Sequence, residues 1–562
     1  VGRPVNPILG IKLLTNEVDF ALPGLMPLSW RRRYYSDVSH VGWLGQGWLV
    51  NGSQRIESRL IRLSADEARN PLSAPVEEFV YIDEQGREIG LPSMMNDGIP
   101  VYIQAEQIWV QRLSAETICI SSSDKSVHLT FTRQGGDGQR DFVLTQVGDN
   151  HGNRQQFLYG QDERPYAIVD GNGRVFALQF KHMGATTATA SPTSAMASAT
   201  ITPETTDRSP LWRLTDIYLL PQPFSAVNLT QLQETLQKHT ALSEVSEISE
   251  ISEISEISEI SEISEISEIS EVSGDSRLGK KLVAYRYNAE GDLIEVKDGL
   301  GYVVRKFAYR NHLMIAHEDA AGLVSRYEYD HYRPSGKVIR NSTSLGERWE
   351  FAYFPSYTQV TDVLGRTEEY HFDEHQELIK FVAANGQATL QERDKLGRVL
   401  SQTDPSGQTR YFEYNPQGQM TKLTRPDNVM LYFMYDNDGR LTGQTDALGN
   451  MTRYRYDERG NLVERLDALN QKTQYAYNDK GLLTCSTDPL GNDTLFAYDE
   501  NSQLSQVTDC SGNPTRFSYN EWGQLTAQTD ALGHTTNYDY NERQQLIAMV
   551  LPNQGRTTYR YD

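Results

Sequence analysis

Cysteine is almost missing from this chain: 562 residues carry three, Cys119, Cys485 and Cys510. Their wide spacing excludes a disulfide framework and a Cys-x-x-Cys metal knuckle. It suits folding in a reducing cytosol. Long apolar runs are missing too, so no transmembrane helix of about 18–20 residues is expected. The opening Val1-Gly2-Arg3-Pro4 is not a signal peptide, and without an initiator Met it is expected of a processed product or a trimmed fragment. Basic clusters are scarce. The longest is Arg31-Arg32-Arg33, and the formal charge is −22. Nucleic-acid binders need clustered cations to displace phosphate counterions, so that class is excluded. Apolar residues reach only 38%, which is little core for this length, yet 10% aromatics is too many for general disorder.

What is present is a repeat. Aromatic, any residue, aromatic, then Asp or Asn recurs at Phe412-Glu413-Tyr414-Asn415, Phe433-Met434-Tyr435-Asp436 and Tyr454-Arg455-Tyr456-Asp457. It continues through Tyr475–Asn478, Phe496–Asp499, Phe517–Asn520, Tyr538–Asn541 and Tyr559–Asp562, every step being 21 residues. Counting back finds Asp394, Asp373, Asp330 and Asn288, with a one-residue slip between 330 and 373 that predicts a bulge or loop adjustment, and about 13 units in all. Each unit holds two turns of the form Asp-x-x-Gly, such as Asp457-Glu458-Arg459-Gly460 and Asp446-Ala447-Leu448-Gly449. Asp first and Gly fourth fit a type I turn. The unit therefore reads strand, turn, strand, turn. Its paired aromatics share one face and stack into a cross-strand ladder.

Two strands per unit predict an all-β fold: a long antiparallel meandering sheet, with an arc on the order of 120 Å for the repeats. Strands twist, so such a sheet must curl into a spiral rather than stay flat. Propeller blades of four strands repeat at about 40–45 residues and do not fit.

These units resemble the YD repeat of bacterial Rhs proteins, which teneurins and the C components of Tc toxins share. A second match lies at the N-terminus. Pro4-Val5-Asn6-Pro7, Gly10, Asp19-Phe20, Leu22-Pro23-Gly24, Pro27-Leu28, Trp30, Arg33-Tyr34, Ser36, Gly42 and Gly45-Gln46-Gly47-Trp48 resemble the opening of the Rhs core in type VI secretion effectors. The resemblance implies a hollow cocoon that encloses a C-terminal toxin domain. It also implies partners: a type VI secretion spike (VgrG/PAAR-type) reached through an upstream region, a chaperone and an immunity protein. The implied course is synthesis in the bacterial cytoplasm and delivery to a target cell, with any enzymatic activity in the toxin and none in these residues. This stretch alone is expected to be an incompletely closed shell.

Three regions follow. Residues 1–180 form the N-terminal Rhs-core region, with short strands such as Phe79–Ile82, Trp109-Val110, His128–Phe131, Phe142–Leu144 and Phe176–Phe180. The degenerate unit Gly148–Asn153 and Phe157–Tyr159 implies that the sheet begins well before 285. Residues 181–284 form a variable insertion: an Ala/Thr/Ser/Pro-rich loop at 184–210, a short amphipathic helix at Leu229–Leu236 and ten copies of Ser-Glu-(Ile/Val) at 243–272. A period of 3 gives no fixed helical face, so the tract reads as an expanded surface or lumenal loop, with an acidic partner-binding tract as the other reading. Residues 285–562 are the tandem repeats.

No residue is assigned a catalytic, cofactor-binding or metal role. His371 and His375 are four apart, but they fall in a strand and its turn, where that spacing does not bring both to one face. Asp404-Pro405-Ser406-Gly407 and Asp488-Pro489-Leu490-Gly491 resemble the family's self-cleavage elements, but they lie four repeats apart and where the unit needs its second turn. The aromatic ladder also suits sugar rings. The alternative function is therefore a surface-exposed YD-repeat protein that binds carbohydrate or another cell.

Overall fold

The computed structural model describes residues 4–61, 76–92, 98–133, 141–160, 164–183, 212–221 and 279–561. The loop at 184–210, the Leu229–Leu236 segment and the Ser-Glu-Ile tract lie outside them.

Among the described residues there is no helix; strands account for all regular structure. From Val101–Ile103 to Arg556–Thr558 runs one antiparallel meander of 36 strands, each paired with the next in sequence. At about 4.8 Å per strand its arc is roughly 170 Å. It is longer than the repeat count alone predicts because it begins near residue 101. Three further strands, Arg55–Ile61, Val76–Ile82 and Glu88–Gly90, join it as a branch where Arg55 and Ile56 pair with Val143 and Phe142. The meander does not close into a barrel: its last strand pairs only with Leu546–Val550. Trp212–Leu219 and Lys280–Tyr287 pair directly, so the chain between them is inserted at a hairpin.

Local chemistry explains the 21-residue unit. In the turn at Asp457, one carboxylate oxygen accepts the amides of Arg459 (3.0 Å) and Asn461 (2.8 Å). The Gly460 amide donates to the Asp457 carbonyl at 3.1 Å, and Gly460 has φ +90°. This is a type I turn followed by a left-handed residue, a three-residue hairpin loop. Glycine takes that position without a Cβ penalty. Accepting amides also holds the turn carboxylates of Asp446, Asp488 and Asp509 below the usual range.

The second aromatic has a separate role. Tyr414 donates its hydroxyl to the carbonyl of Val399, Tyr435 to Met420, Tyr456 to Leu441 and Tyr477 to Leu462, at 2.8–3.0 Å and always 15 residues back. Each tyrosine thus ties its strand to the bulged start of a strand in the preceding unit. Arg393 makes the same link from Nε to Leu378 at 3.3 Å.

The slip between 330 and 373 has a structural cause. The loop Asp330–Lys337 closes over seven residues where the regular turn closes over four; Phe354–Tyr357 closes over three. The pairing of Arg348–Tyr353 with Tyr357–Asp362 also lacks the usual bulge. The net gain is one residue.

Candidate functional site

The sheet has an inside. Phe20, Trp30, Tyr34 and Trp48 share one cluster with Phe79, Phe131, Phe157, Phe176, Ile217, Val296 and Met314. Strands that far apart along a meander can meet one short segment only if the meander curls around it. Residues 4–52 therefore fill the first coil, and the aromatic face is the inner one. The segment has its own three-stranded sheet of Leu13–Ala21, Ser29–Tyr35 and Trp48–Val50.

Polar contacts fix this filling. Trp30 Nε1 donates to the Tyr285 hydroxyl and Trp48 Nε1 to the Tyr309 hydroxyl, both at 2.8 Å. The Met314 amide donates to the Tyr34 hydroxyl at 2.9 Å. Arg32, 1% exposed, is bidentate on Asp19: Nε at 2.7 Å from Oδ2 and Nη2 at 2.9 Å from Oδ1. Tyr285 donates to the same carboxylate at 2.5 Å. Arg305 binds Glu17 at 2.7 and 2.9 Å. Burial opposes the Arg32 charge, but Asp19 more than restores it and holds the guanidinium firmly protonated. Lys12, fully buried, donates to the Leu13 carbonyl at 2.8 Å and lies 4.7 Å from the Tyr327 ring; burial pushes its pKa well down. His317 stacks on Tyr327 at 5.8 Å, and burial, with Lys12 and Arg305 nearby, lowers it to about 3.

The second coil seats on the first along a polar seam. Tyr102 donates to the Gln417 carbonyl (2.6 Å), Asn150 to Arg459 (3.2 Å), Asn153 to Lys480 (2.9 Å) and Asn172 to Asn501 (2.5 Å). Every acceptor is the third residue of an Asp/Asn-x-x-x turn. Lys125 pairs with Asp438 and Lys280 with Glu521, and Arg543 lies 3.8 Å from the Tyr302 ring. His128 braces the seam: Nδ1 faces Ser121 Oγ and Nε2 faces Asn150 Oδ1, both at 2.8 Å. The turn after Val101–Ile103 meets the turn after Thr409–Tyr414, 21 strands later. One coil is therefore about 100 Å around, measured across the strands.

The opposite rim of the second coil is open. Leu448, Leu469, Leu490 and Leu532, the third residues of the second turns, are 87%, 77%, 87% and 82% exposed. The Asp-Pro-x-Gly elements belong to this rim and are turns: Asp404 accepts Ser406 and Gln408, and Asp488 accepts Leu490 and Asn492.

His371 and His375 are not brought together. His371 sits on Thr367–Phe372, its Nε2 2.9 Å from Glu369, whereas His375 caps the following turn with its backbone amide on Asp373. Among the described residues no group of three or more His, Cys, Asp or Glu side chains is arranged to hold a metal ion. Sequence reasoning singled out Asp19, Trp30 and Trp48, named Arg32 only as part of a short basic run, and missed Glu17 and Arg305. Glu17, Arg32 and Arg305 lie on separate strands, Leu13–Ala21, Ser29–Tyr35 and Val303–Arg310, and no local pattern joins them.

A 36-stranded spiral of tyrosine-tied hairpins wraps its own N-terminal segment, and the chain carries Rhs repeats. The RHS Repeat family matches residues 393–429, 435–472, 456–494 and 498–535, and a domain of unknown function (DUF6531) matches residues 2–91. Toxin protein Tse5 of Pseudomonas aeruginosa is 29% identical over 434 residues, covering 73% of this chain and 27% of that protein. Double-stranded DNA deaminase toxin A of Burkholderia cenocepacia is 25% identical over 376 residues, covering 66% of this chain and 19% of that protein. The chain thus spans about a quarter or less of the curated relatives it matches. Among solved structures, TcdB2–TccC3 without its hypervariable C-terminal region aligns over 91% of this chain and 38% of that one at 13% identity, with a TM-score of 0.33.

Proposed function

We propose that this chain is shell from a bacterial Rhs toxin, enclosing and protecting a C-terminal toxin domain for delivery by type VI secretion into competitor cells. One observation carries the reading: an inner aromatic face that residues 4–52 bury in the first coil and that, among the described residues, stays half-buried with no core cluster on it in the second. The kinship to Tse5 and to the deaminase toxin supports a toxin context, and both are far longer than this stretch. The exposed leucine rim fits a shell whose closure needs further protein. On this reading residues 1–180, with the first repeats, build the filled end, 181–284 are the variable insertion, which lends the strand Trp212–Leu219 to the wall, and 285–562 are the repeat wall. Enzymatic activity belongs to the cargo. The spike engages an upstream region, and a chaperone and an immunity protein attend the toxin.

The test uses the parent protein with its cargo. Limited proteolysis is expected to leave the cargo intact until the shell is unfolded. Cargo digested as fast with its shell as without it would overturn the reading.

A second reading, recognition of glycans or another cell by the exterior, has one observation behind it. Tyr411, Met430, Tyr432 and Met434 lie exposed together on the outer face. A glycan-array signal abolished by Tyr411→Ala and Tyr432→Ala would favour it.

A further inference from the structure

The enclosed face can be followed strand by strand from the filled coil into the open one. Tyr370 pairs with Phe381, Phe412 with Leu423, Phe433 with Gln444, Tyr454 with Arg465, Tyr475 with Ser486, Phe496 with Val507, Phe517 with Gln528 and Tyr538 with Met549. Side chains paired across strands share a face. The remaining inner row is Arg410, Leu431 and then threonine at 452, 473, 494, 515 and 536. Between 409 and 550 the strands therefore place only two ionisable groups other than tyrosine on the inner face, Arg410 and Arg465, both exposed. No carboxylate stands on it. The outer face of the same strands carries Glu413, Lys422, Arg453, Arg455, Glu464, Lys472, Asp493, Arg516 and Asp539. Tyrosine hydroxyls of the second aromatic row are committed to carbonyls, so they add no charge and little free hydrogen-bonding capacity.

The filled coil shows what such a face accepts. Its occupant, residues 4–52, presents Trp30, Trp48, Tyr34 and Phe20 to the rings, meets Arg305 of the wall with Glu17 and matches its own Arg32 with Asp19. One coil of about 21 strands is filled by about fifty residues.

We infer that the inner wall of the second coil takes polypeptide of low or negative charge, about fifty residues per coil, and disfavours lysine- and arginine-rich stretches even though the whole chain carries −22. This rests on the enclosing role proposed above and names the chemistry of what is enclosed. Contacts are ring to apolar side chain, with Arg410 and Arg465 as the sites for carboxylates. A lysine brought to this wall loses hydration and finds no anion. Ring and apolar contacts are insensitive to salt, whereas attraction to the outer charge is screened within about 8–10 Å.

The probes are three fluorescein-labelled 20-residue peptides, one of Leu, Tyr, Ser and Gly, and two with half the Ser replaced by Asp or by Lys. Anisotropy with the full chain is expected to show the Asp peptide binding at least as tightly as the neutral one and the Lys peptide at least fivefold more weakly. The neutral affinity should change less than twofold between 50 and 500 mM NaCl. Arg410→Glu with Arg465→Glu should reverse the Asp/Lys preference; these exposed positions leave the hairpin ties intact. Tyr454→Ser with Tyr475→Ser should weaken all three, whereas the outer pair Tyr411→Ser and Met434→Ser should not. Tighter binding of the Lys peptide by the unmodified chain overturns this inference but leaves enclosure standing. No binding by any peptide overturns the wall as a binding face and counts against enclosure as well.

Discussion

Asp19→Asn is the sharpest probe of how the first coil is held. The change is nearly isosteric, yet it removes the nearer of the two countercharges of Arg32, which is 1% exposed, and leaves only Glu17 at 3.8 Å. Two charge-assisted bonds, Nε to Oδ2 at 2.7 Å and Nη2 to Oδ1 at 2.9 Å, lose their anion. The Tyr285 hydroxyl, 2.5 Å away, loses its carboxylate acceptor. Removing one partner of a buried pair costs about 3–5 kcal/mol, mostly because the other charge stays buried uncompensated. Global melting is a poor readout in so large a chain, since the shift in Tm per kcal/mol shrinks with size. Amide exchange reads local opening instead. A loss of about 3–5 kcal/mol predicts exchange in Ser29–Tyr35 faster by about 10²–10⁴-fold. Replacing both partners, Asp19→Leu with Arg32→Met, should recover most of the loss, because apolar groups of similar volume carry no desolvation debt. Unchanged exchange in Asp19→Asn, or a double variant as labile as the single, would refute the charge lock.

The same interface should loosen in acid. Burial holds His317 at about 3 and His40 at about 4, below the ordinary 6.5, so the unfolded chain binds protons that the folded chain does not. Their stabilising contribution is complete above pH 6.5 and is lost as pH falls towards 3–4; at pH 4.5 each has lost about 2–3 kcal/mol. Exchange in residues 12–35, corrected for intrinsic rate, should accelerate between pH 7 and 4.5, and His317→Phe should flatten that dependence. At the turns, Gln544 and Ser502 occupy the left-handed position with φ 65° and 61°. Gln544→Gly should stabilise by about 1 kcal/mol and Gly491→Ala destabilise by about 1–2 kcal/mol, read by denaturant titration. Tyr477→Phe deletes the 3.0 Å bond to the Leu462 carbonyl and should cost about 1 kcal/mol, whereas Tyr475→Phe, the first aromatic of the same unit, should cost less than half of that.

The 21-residue unit was legible because its causes are local. An Asp that accepts two amides within four residues, a left-handed glycine and a tyrosine tied 15 residues back leave a fixed spacing in the sequence. Strand, turn type and sheet order follow from that spacing. The open rim was also legible in outline, since Asp-x-Leu-Gly places leucine at a hairpin tip. What the spacing cannot encode is curvature. Twist per strand is a small angle summed over 36 strands, and only the sum decides that turns 309–329 residues apart meet along a seam. The seam uses Tyr102, Asn150, Asn153 and Asn172; the degenerate unit Gly148–Asn153 marks a turn at two of them, but nothing local says which distant turn it meets. The filled coil is the same kind of fact: Arg32, Glu17 and Arg305 read as surface charges until tertiary contact buries them together. The 21-residue spacing, with scarce apolar residues and tyrosine concentrated in the repeats, settled that this chain is a sheet of tied hairpins and not a set of globules. Only the closed path of that sheet decided which face is inside, because inside exists only once distant strands have come round to the same segment.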